Sequence, residues 1–221
     1  YFYGYKTEGV FQSQADIDSY TGPKLNGANT IPGDLKFVDY NKDGKIDASD
    51  RTLIGDPHPD FTMGLNINLA WKGIDLSITG FGAFGQQIFK SYRDYTTGNF
   101  SNFTTEVYQT WTGAGTSNRM PALTSSSSTN WSTISDIYIE NGDYFKFQNV
   151  TLGVDIAKFI KNFPLQTLRL YVTGQNLFTI TNYSGMDPEI GYGGDTGWAQ
   201  GVDLGFYPSS RNILFGINLK F

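Results

Sequence analysis

The chain has 221 residues, no cysteine, one histidine and a formal net charge of −5 at neutral pH. The absence of cysteine excludes a disulfide scaffold and thiolate chemistry, and the acidic balance disfavours a protein that binds nucleic acid by neutralising phosphates. Aromatic residues make up 16% of the sequence, too many for a chain that stays disordered. A negative mean hydropathy and the lack of a long apolar run would by themselves predict a soluble all-β protein.

The first sixty residues show little regular alternation and are predicted to form a loop region outside the main sheet. They contain one strand candidate, residues 1–11, and a short helix candidate, Ser13–Tyr20, in which Ser13 and Asp16 have the spacing of a capping box. A second short helix candidate lies at residues 157–162. Because no other segment shows helical periodicity, the sequence predicts an all-β protein.

Residues 39–50 match the twelve-residue calcium-binding loop position by position. Oxygen donors occupy loop positions one, three, five and nine, and Gly44 stands at position six, where the chain turns sharply. Asp50 replaces the usual glutamate at position twelve, so we expect weak affinity. The predicted calcium ligands are Asp39, Asn41, Asp43, Lys45 through its backbone carbonyl, Asp47 and Asp50. The alternative is an Asx-rich turn that caps its own backbone and holds no metal.

Five later segments alternate between apolar and polar residues. In Phe61–Trp71 every second residue is large and apolar, whereas the residues between are polar or small. The dipeptide Lys72-Gly73 then marks a tight turn, because glycine tolerates the positive φ that two-residue hairpins require. This alternation predicts antiparallel strands with one apolar and one polar face. The predicted strands are residues 61–71, 73–89, 144–156, 168–180 and 212–221.

Two architectures fit this alternation, a soluble β-sandwich and a membrane β-barrel. The segments, of roughly 10–13 residues, exceed the average globular strand of about 5–6 residues and match the about 9–11 residues that a tilted membrane strand needs. Short connections also alternate with two long ones, residues 91–143 and 181–211, as they do in outer-membrane barrels. Strand length and connection length together favour the membrane barrel.

Five or six strands cannot close a membrane barrel, because the smallest natural examples have about eight. Since hydrocarbon does not tolerate an unpaired strand edge, we expect the chain to be one piece of a larger barrel. Its apolar face would contact outer-membrane lipid, and its polar face would line the lumen. The residues predicted to face the lumen include Asn66, Asn68, Thr151, Arg169, Tyr171, Thr173 and Gln175.

No residue is predicted to be catalytic, and we do not expect an enzyme. His58 lies in a stiff proline-rich turn, and no serine or carboxylate around it has the spacing of a catalytic triad. The loop tryptophans Trp111, Trp131 and Trp198 could stack on sugars, but aromatic residues also pack long loops and line membrane interfaces. The glycine-rich stretch 191–194 is not a phosphate loop, because it does not join a strand to a helix.

Several motifs stand in order along the chain: Tyr3–Phe11, Pro32–Asp39, Asp50–Pro57, Tyr171–Thr179, Tyr183–Glu189 and Asn218–Phe221. Together they resemble the C-terminal part of SusC/RagA-type TonB-dependent outer-membrane transporters of Bacteroidetes, over nearly the whole chain. The resemblance implies that residues 61–221 are the last five or six strands of a 22-stranded barrel. Residues 1–60 and the loops 91–143 and 181–211 would then be extracellular, and the C-terminus would lie on the periplasmic side.

The same resemblance implies a function and a set of partners. The protein would import oligosaccharides or peptides across the bacterial outer membrane, driven by TonB through a segment outside these residues. Its partners would be the remainder of the barrel with its plug, and a SusD-like surface lipoprotein. Nucleic acid is not expected as a partner, and calcium is the cofactor that the loop at residues 39–50 predicts.

The rival interpretation is a secreted carbohydrate-binding β-sandwich with a dockerin-like calcium loop. It accounts for the aromatic residues and the calcium spacing, but it accounts poorly for the long strands. An apolar band exposed on the outside of the sheet would separate the two interpretations in favour of the barrel.

Overall fold

The computed structural model describes residues 1–93, 103–123, 128–190 and 200–221. Its strands are β1 (Phe2–Gly4), β2 (Thr7–Val10), β3 (Leu35–Phe37), β4 (Thr52–Gly55), β5 (Phe61–Trp71), β6 (Ile74–Phe84), β7 (Gln87–Lys90), β8 (Ile139–Asn141), β9 (Tyr144–Asp155), β10 (Thr167–Thr181), β11 (Val202–Asp203) and β12 (Asn212–Lys220). The α-helices are α1 (Gln14–Ser19) and α2 (Ser128–Ser132), and the 3₁₀ helices are Gly27–Asn29, Ala48–Asp50, Ser91–Arg93, Thr105–Gln109, Asp136–Tyr138 and Ile156–Lys158. In the described part of the chain, no helix has the length and apolar character needed to cross a membrane.

The chain divides into two compact units. Unit 1 comprises residues 1–57, 88–140 and 192–204, and unit 2 comprises residues 58–87, 141–191 and 205–221. Unit 1 includes most of the long connection between β6 and β9. The domain boundary after residue 60 stays a prediction.

Unit 1 is built from short strands around a closed apolar core. Strand β1 pairs with β4 and β2 pairs with β3, both antiparallel, whereas β7 lies between β8 and a parallel partner, β11. The buried core cluster consists of Tyr5, Val10, Leu35, Phe37, Met120, Trp131, Ile137 and Tyr138. Its members come from segments far apart in sequence, so tertiary packing and not strand pairing holds this unit together.

Unit 2 contains one five-stranded antiparallel sheet in the order β12-β10-β9-β6-β5. The strands have 9 to 15 residues. Strands β5 and β6 form a hairpin across Lys72 and Gly73, whose φ angles of 46° and 93° are those of a two-residue turn that matches the strand twist. The all-β prediction is confirmed.

Three predicted segments differ from the structure. Residues 1–11, predicted as one strand candidate, form two short strands, β1 and β2, of unit 1. The predicted strand 73–89 ends at Phe84, because Gly85 has a φ of 87° and donates its N–H to Asp143 Oδ1 at 2.6 Å. The helix candidate at 157–162 is a single 3₁₀ turn, Ile156–Lys158.

Candidate functional site

The apolar face of the unit 2 sheet is arranged in rows that run across all five strands. One row joins Leu69, Leu76, Leu152, Val172 and Phe215, each of which is the cross-strand partner of the next. The neighbouring row joins Trp71, Ile74, Val154, Leu170 and Ile217 in the same manner. Strict alternation within each strand and this register across strands bring the apolar residues into one continuous face.

This face is exposed, although it is made of large apolar side chains. Phe215 is 84% exposed, Trp71 68% and Ile217 64%. A soluble protein rarely leaves a contiguous apolar surface of this kind open to water. An exposed apolar face of this kind is typical of a surface that contacts a partner protein or a membrane.

The opposite face carries a hydrogen-bonded polar row. Asn68, Ser77, Thr151 and Thr173 are successive cross-strand partners on β5, β6, β9 and β10. Ser77 donates to Asn68 Oδ1 at 2.7 Å, and the hydroxyls of Thr151 and Thr173 lie 2.8 Å apart. Of the predicted inward residues, Asn66 and Asn68 bind each other on this face, and so do Thr151 and Thr173.

An ion pair spans this polar face near the hairpin end of the sheet. Arg169 on β10 donates from Nε and Nη2 to the two carboxylate oxygens of Asp75 on β6, at 2.8 and 2.6 Å. The two strands are separated by β9, and Gly153 lies beneath the pair. A Cβ at Gly153 would lie 2.5 Å from Arg169 Nε and from Asp75 Oδ1, so the pair forms because this residue has no side chain.

The two edges of the sheet have no strand partner in the described part of the chain. Strand β5 forms one edge and β12 the other. Both carry exposed residues along almost their whole length. Each edge therefore presents unpaired backbone donors and acceptors.

The calcium-loop residues form a tight turn in which the carboxylates accept backbone hydrogen bonds. Asp39 accepts from the N–H of Asp43 and Gly44, and buried Asp50 accepts from Tyr40, Asn41 and Asp47. Gly44 has a φ of 84°, which suits its position at the sharp turn. The donor chemistry fits calcium. Among the described residues, no three acidic or histidine side chains lie close enough together to coordinate a metal ion. Calcium binding by this loop stays a prediction.

The electrostatics of this loop favour charged carboxylates. The backbone N–H of Ser49, which donates to Asp47 Oδ1 at 2.8 Å, holds the pKa of Asp47 below its usual range. Asp47 and Asp50 also close a capping box around the 3₁₀ turn Ala48–Asp50. The loop is therefore ordered by its own side chains, as the Asx-turn alternative also predicts.

The loop tryptophans have structural contacts in unit 1. Trp131 is 2% exposed and donates its indole N–H to the carbonyl of Ala122 at 3.1 Å. Trp111 packs against the same core and donates to Gln12 Oε1 at 3.2 Å. Trp198 and the glycine-rich stretch 191–194 lie outside the described residues. His58 is exposed in the turn that precedes β5.

A buried ion cluster in unit 1 was not predicted from the sequence. Arg93 contacts both Glu106 and Glu140, and Lys90 contacts Glu106. Burial alone would lower the pKa of Arg93, but the hydrogen bond that it donates to Glu106 and the charge of Glu140 raise the pKa above its ordinary value. Two cations thus balance two carboxylates, which is the arrangement that makes buried charges tolerable. The four residues are dispersed between positions 90 and 140, so no local spacing reveals them.

The comparisons with known proteins cover the entire chain. The chain is 33% identical over 225 residues to the TonB-dependent receptor P3 of Formosa agariphila, with 100% of this chain and 22% of the relative covered. It is 28% identical over 204 residues to the TonB-dependent receptor SusC of Bacteroides thetaiotaomicron, with 91% of this chain and 19% of that relative covered. The resemblance to SusC/RagA-type TonB-dependent receptors is confirmed. No family model matches the chain.

Solved structures of the RagAB system share the fold. The open–open state of the RagAB peptide importer aligns with 100% of this chain and 22% of its own, at 21% identity and a TM-score of 0.67. The closed–closed state aligns equally over this chain, at 20% identity and a TM-score of 0.65. The chain spans about a fifth of the length of the TonB-dependent receptors that it matches. TonB-dependent receptors are outer-membrane proteins, and the relatives are receptors rather than enzymes.

Proposed function

We propose that unit 2 is part of the wall of a TonB-dependent outer-membrane importer. The observation that carries this proposal is the open five-stranded sheet, in which large apolar residues are exposed on one face and polar residues bind one another on the other. Strands of 9 to 15 residues are long enough to cross the hydrocarbon layer when tilted. The secreted β-sandwich is not favoured, because the relatives are TonB-dependent receptors.

In this wall, β5, β6, β9, β10 and β12 are membrane strands of a barrel of about 22 strands. Their unpaired edges are covered by neighbouring strands of the same transporter, since lipid leaves backbone groups unsatisfied. The tight turn at Lys72-Gly73, the short link 156–166 and the end of β12 lie at one end of the sheet. We assign this end to the periplasm and the long connections at the other end to the cell exterior.

The partners and the cargo follow from the same proposal. A SusD-like surface lipoprotein would cover the extracellular end, and TonB would drive transport through a plug that these 221 residues do not supply. The cargo class is oligosaccharide or peptide. RagAB, with which the chain shares its fold, is a peptide importer, which supports the peptide half of this class. Copurification of the full-length protein with a lipoprotein from outer membranes tests the partner.

The lack of cysteine in these residues permits a sharp test of the wall. Single cysteines are introduced into the full-length protein at adjacent positions, Leu152 and Thr151 on β9 and Ile217 and Asn218 on β12, and spin-labelled in lipid vesicles. We expect labels at Leu152 and Ile217 to be relaxed by oxygen, which dissolves in lipid. Labels at Thr151 and Asn218 should be relaxed by a water-soluble nickel chelate. Equal accessibility within both pairs would contradict the wall.

We also propose that the loop Asp39–Asp50 binds calcium weakly. The order of its oxygen donors and the positive φ of Gly44 support this. Titration calorimetry of the chelator-treated full-length protein should show heat at about millimolar calcium. The double variant Asp39→Asn, Asp43→Asn serves as the control and should show none. No heat from the unaltered protein at millimolar calcium would remove the metal from the proposal.

A further inference from the structure

Unit 1, which is not part of the proposed wall, contains a pocket. The pocket has a volume of about 240 Å³ and lies between the N-terminal segment and the chain after α2. Its walls comprise two tyrosines, one arginine, two residues with hydroxyl groups and two apolar residues, which are Tyr3, Tyr5, Arg51, Ser132, Thr133, Leu25 and Ile134. This combination of an aromatic surface, a cation and hydroxyl groups differs from the apolar core beside it.

Arg51 is the cation of this pocket, and its described contact is with an aromatic ring. Its Cζ lies 5.5 Å from the centroid of the Tyr5 ring, so the group packs on the aromatic ring. It forms no ion pair and donates no hydrogen bond to any residue that the structure describes, whereas Arg93 and Arg169 each pair with a carboxylate. Within these 221 residues the side chain of Arg51 is exposed at the surface of unit 1.

The walls around Arg51 are held in place by hydrogen bonds. The N–H of Tyr5 donates to the carbonyl of Ile134 at 3.0 Å, and the N–H of Asp136 donates back to the carbonyl of Tyr5 at 3.1 Å. Asp50, the residue before Arg51, is 1% exposed and caps the turn that leads into it. Hydrogen bonds within the protein thus hold Tyr5, the segment after α2 and the backbone that leads into Arg51, and walls held in this way lower the entropic cost of binding.

The geometry points to a subsite for the carboxylate group of a cargo molecule. A guanidinium pairs with a planar carboxylate through two parallel hydrogen bonds, and its position on an aromatic ring reduces the freedom that binding removes. The neighbouring Tyr3 ring is 60% exposed and offers an apolar surface to the rest of the ligand. The inference rests on the proposed import function and narrows its cargo to acidic molecules, either an acidic saccharide or an acidic peptide.

Calorimetry with the full-length protein in detergent tests this assignment. The probes are trigalacturonate and its methyl ester, and triglutamate and triglutamine that are both acetylated at the N-terminus and amidated at the C-terminus. Within each pair the carboxylates of one probe are replaced by uncharged groups in the other. We expect at least one acidic probe to bind more tightly than its neutral counterpart, and the identity of that probe decides between saccharide and peptide. If neither acidic probe binds better than its neutral counterpart, the inference is overturned.

Substitutions in the pocket test whether the acidic probe binds there. Arg51→Gln should weaken binding of the acidic probe at least about tenfold, because hydrogen bonds to a charged group contribute that much. Arg51→Lys, which keeps the charge but loses the planar fork, should weaken it by a smaller factor. Tyr3→Ser alters an exposed ring and keeps the fold, so it reports on the pocket even where Arg51→Gln misfolds. Arg211→Gln removes an exposed arginine of unit 2 and should leave binding unchanged.

The outcomes separate this inference from the proposed function. Unchanged acidic binding in Arg51→Lys and Tyr3→Ser overturns the pocket and leaves the importer wall intact. The spin-label test reports on the wall independently of any cargo, because its positions lie in unit 2. Loss of binding in Arg211→Gln equal to that in Arg51→Gln would also overturn the assignment, since it would show a general effect of charge.

Discussion

The two units of this chain place their apolar side chains in opposite ways. In unit 1, Val10 is 0% exposed, Phe37 1% and Ile137 1%, and polar loops surround them. In unit 2, Phe215 is 84% exposed, Leu69 59% and Leu152 45%, although each belongs to a regular strand. Unit 1 has a buried apolar core, as a soluble domain does. Unit 2 displays apolar residues on one face of a sheet whose other face is polar.

This contrast shows that composition averages over two different solvents. A strand in a barrel wall exposes every second residue to lipid and the others to water, so its mean hydropathy stays moderate. A soluble unit of the same overall composition puts its apolar residues in a core. The negative mean hydropathy of the whole chain therefore does not distinguish a barrel wall from a soluble core. The alternation of apolar and polar residues along each strand does.

Replacing a phenylalanine by alanine should change the stability of unit 1 much more than that of unit 2, and this is the largest effect that we expect. Phe37→Ala removes a buried ring from the unit 1 core and should cost about 3–5 kcal/mol. Phe215→Ala removes a ring that lipid or detergent replaces, and it should cost less than about 1 kcal/mol. Hydrogen exchange of the full-length protein in detergent, read by mass spectrometry, should show lost protection around β3 in the first variant and unchanged protection around β12 in the second. A similar loss in both variants would contradict the contrast.

A charge placed on the apolar face tests which solvent that face contacts. Val150 lies in the middle of β9 with Ile78 and Gly174 as cross-strand partners. Val150→Arg should destabilise the wall by about 2–4 kcal/mol in lipid, the cost of an arginine facing the hydrocarbon midplane. Unfolding by urea in vesicles measures this.

The adjacent residue provides the control. Asn149 is exposed on the polar face, and Asn149→Arg should change the free energy of unfolding little because the side chain remains in water. If both substitutions lower the free energy of unfolding equally, or if Val150→Arg leaves it unchanged, the apolar face of unit 2 does not contact lipid.

A smaller effect is expected at Gly153, on the polar face. Gly153→Ala introduces a Cβ into the Asp75–Arg169 pair and should cost about 1 kcal/mol, since a half-exposed pair contributes no more than that. In the Gly153→Ala background, the further change Asp75→Asn should cost nothing. Gly64→Ala on β5 is the matched control, because no heavy atom lies within 4 Å of its added Cβ. If the losses of stability caused by Gly153→Ala and Asp75→Asn add up in the double variant, the Asp75–Arg169 ion pair does not depend on Gly153.

Unit 2 could be predicted from the sequence because its information is local. Alternation fixes which residues share a face, and the turn at Lys72-Gly73 fixes the register of β5 and β6. The end of β6 was missed because it depends on the positive φ of Gly85 and on its hydrogen bond to Asp143, a residue distant in sequence.

Unit 1 could not be predicted in the same way. Its core joins Val10, Phe37 and Trp131, and its ion cluster joins Arg93 to Glu106 and Glu140, across separations that carry no period. The pocket around Arg51 likewise depends on Ser132 and Thr133, which are distant in sequence. In the calcium loop, spacing predicted which residues cluster, but only the structure shows that their carboxylates accept backbone hydrogen bonds.

The smallest effect concerns a charge at the surface of unit 1. Asp16 accepts from the N–H of Gln12 and pairs with Lys36 Nζ, each at 2.9 Å, and these two contacts hold its pKa below the usual range. A carboxylate with a lowered folded-state pKa stabilises the fold above its unfolded pKa of about 3.9, and this contribution disappears as the pH falls through the folded value. Asp16→Asn should therefore raise hydrogen exchange around α1 at neutral pH, and the difference from the unaltered protein should shrink below about pH 4. Asp18→Asn removes the same charge from the same helix without breaking the contacts of Asp16, so it controls for charge alone. A difference for Asp16→Asn that persisted unchanged at low pH would show that the amide disturbs packing and that the ion pair does not stabilise this corner of unit 1.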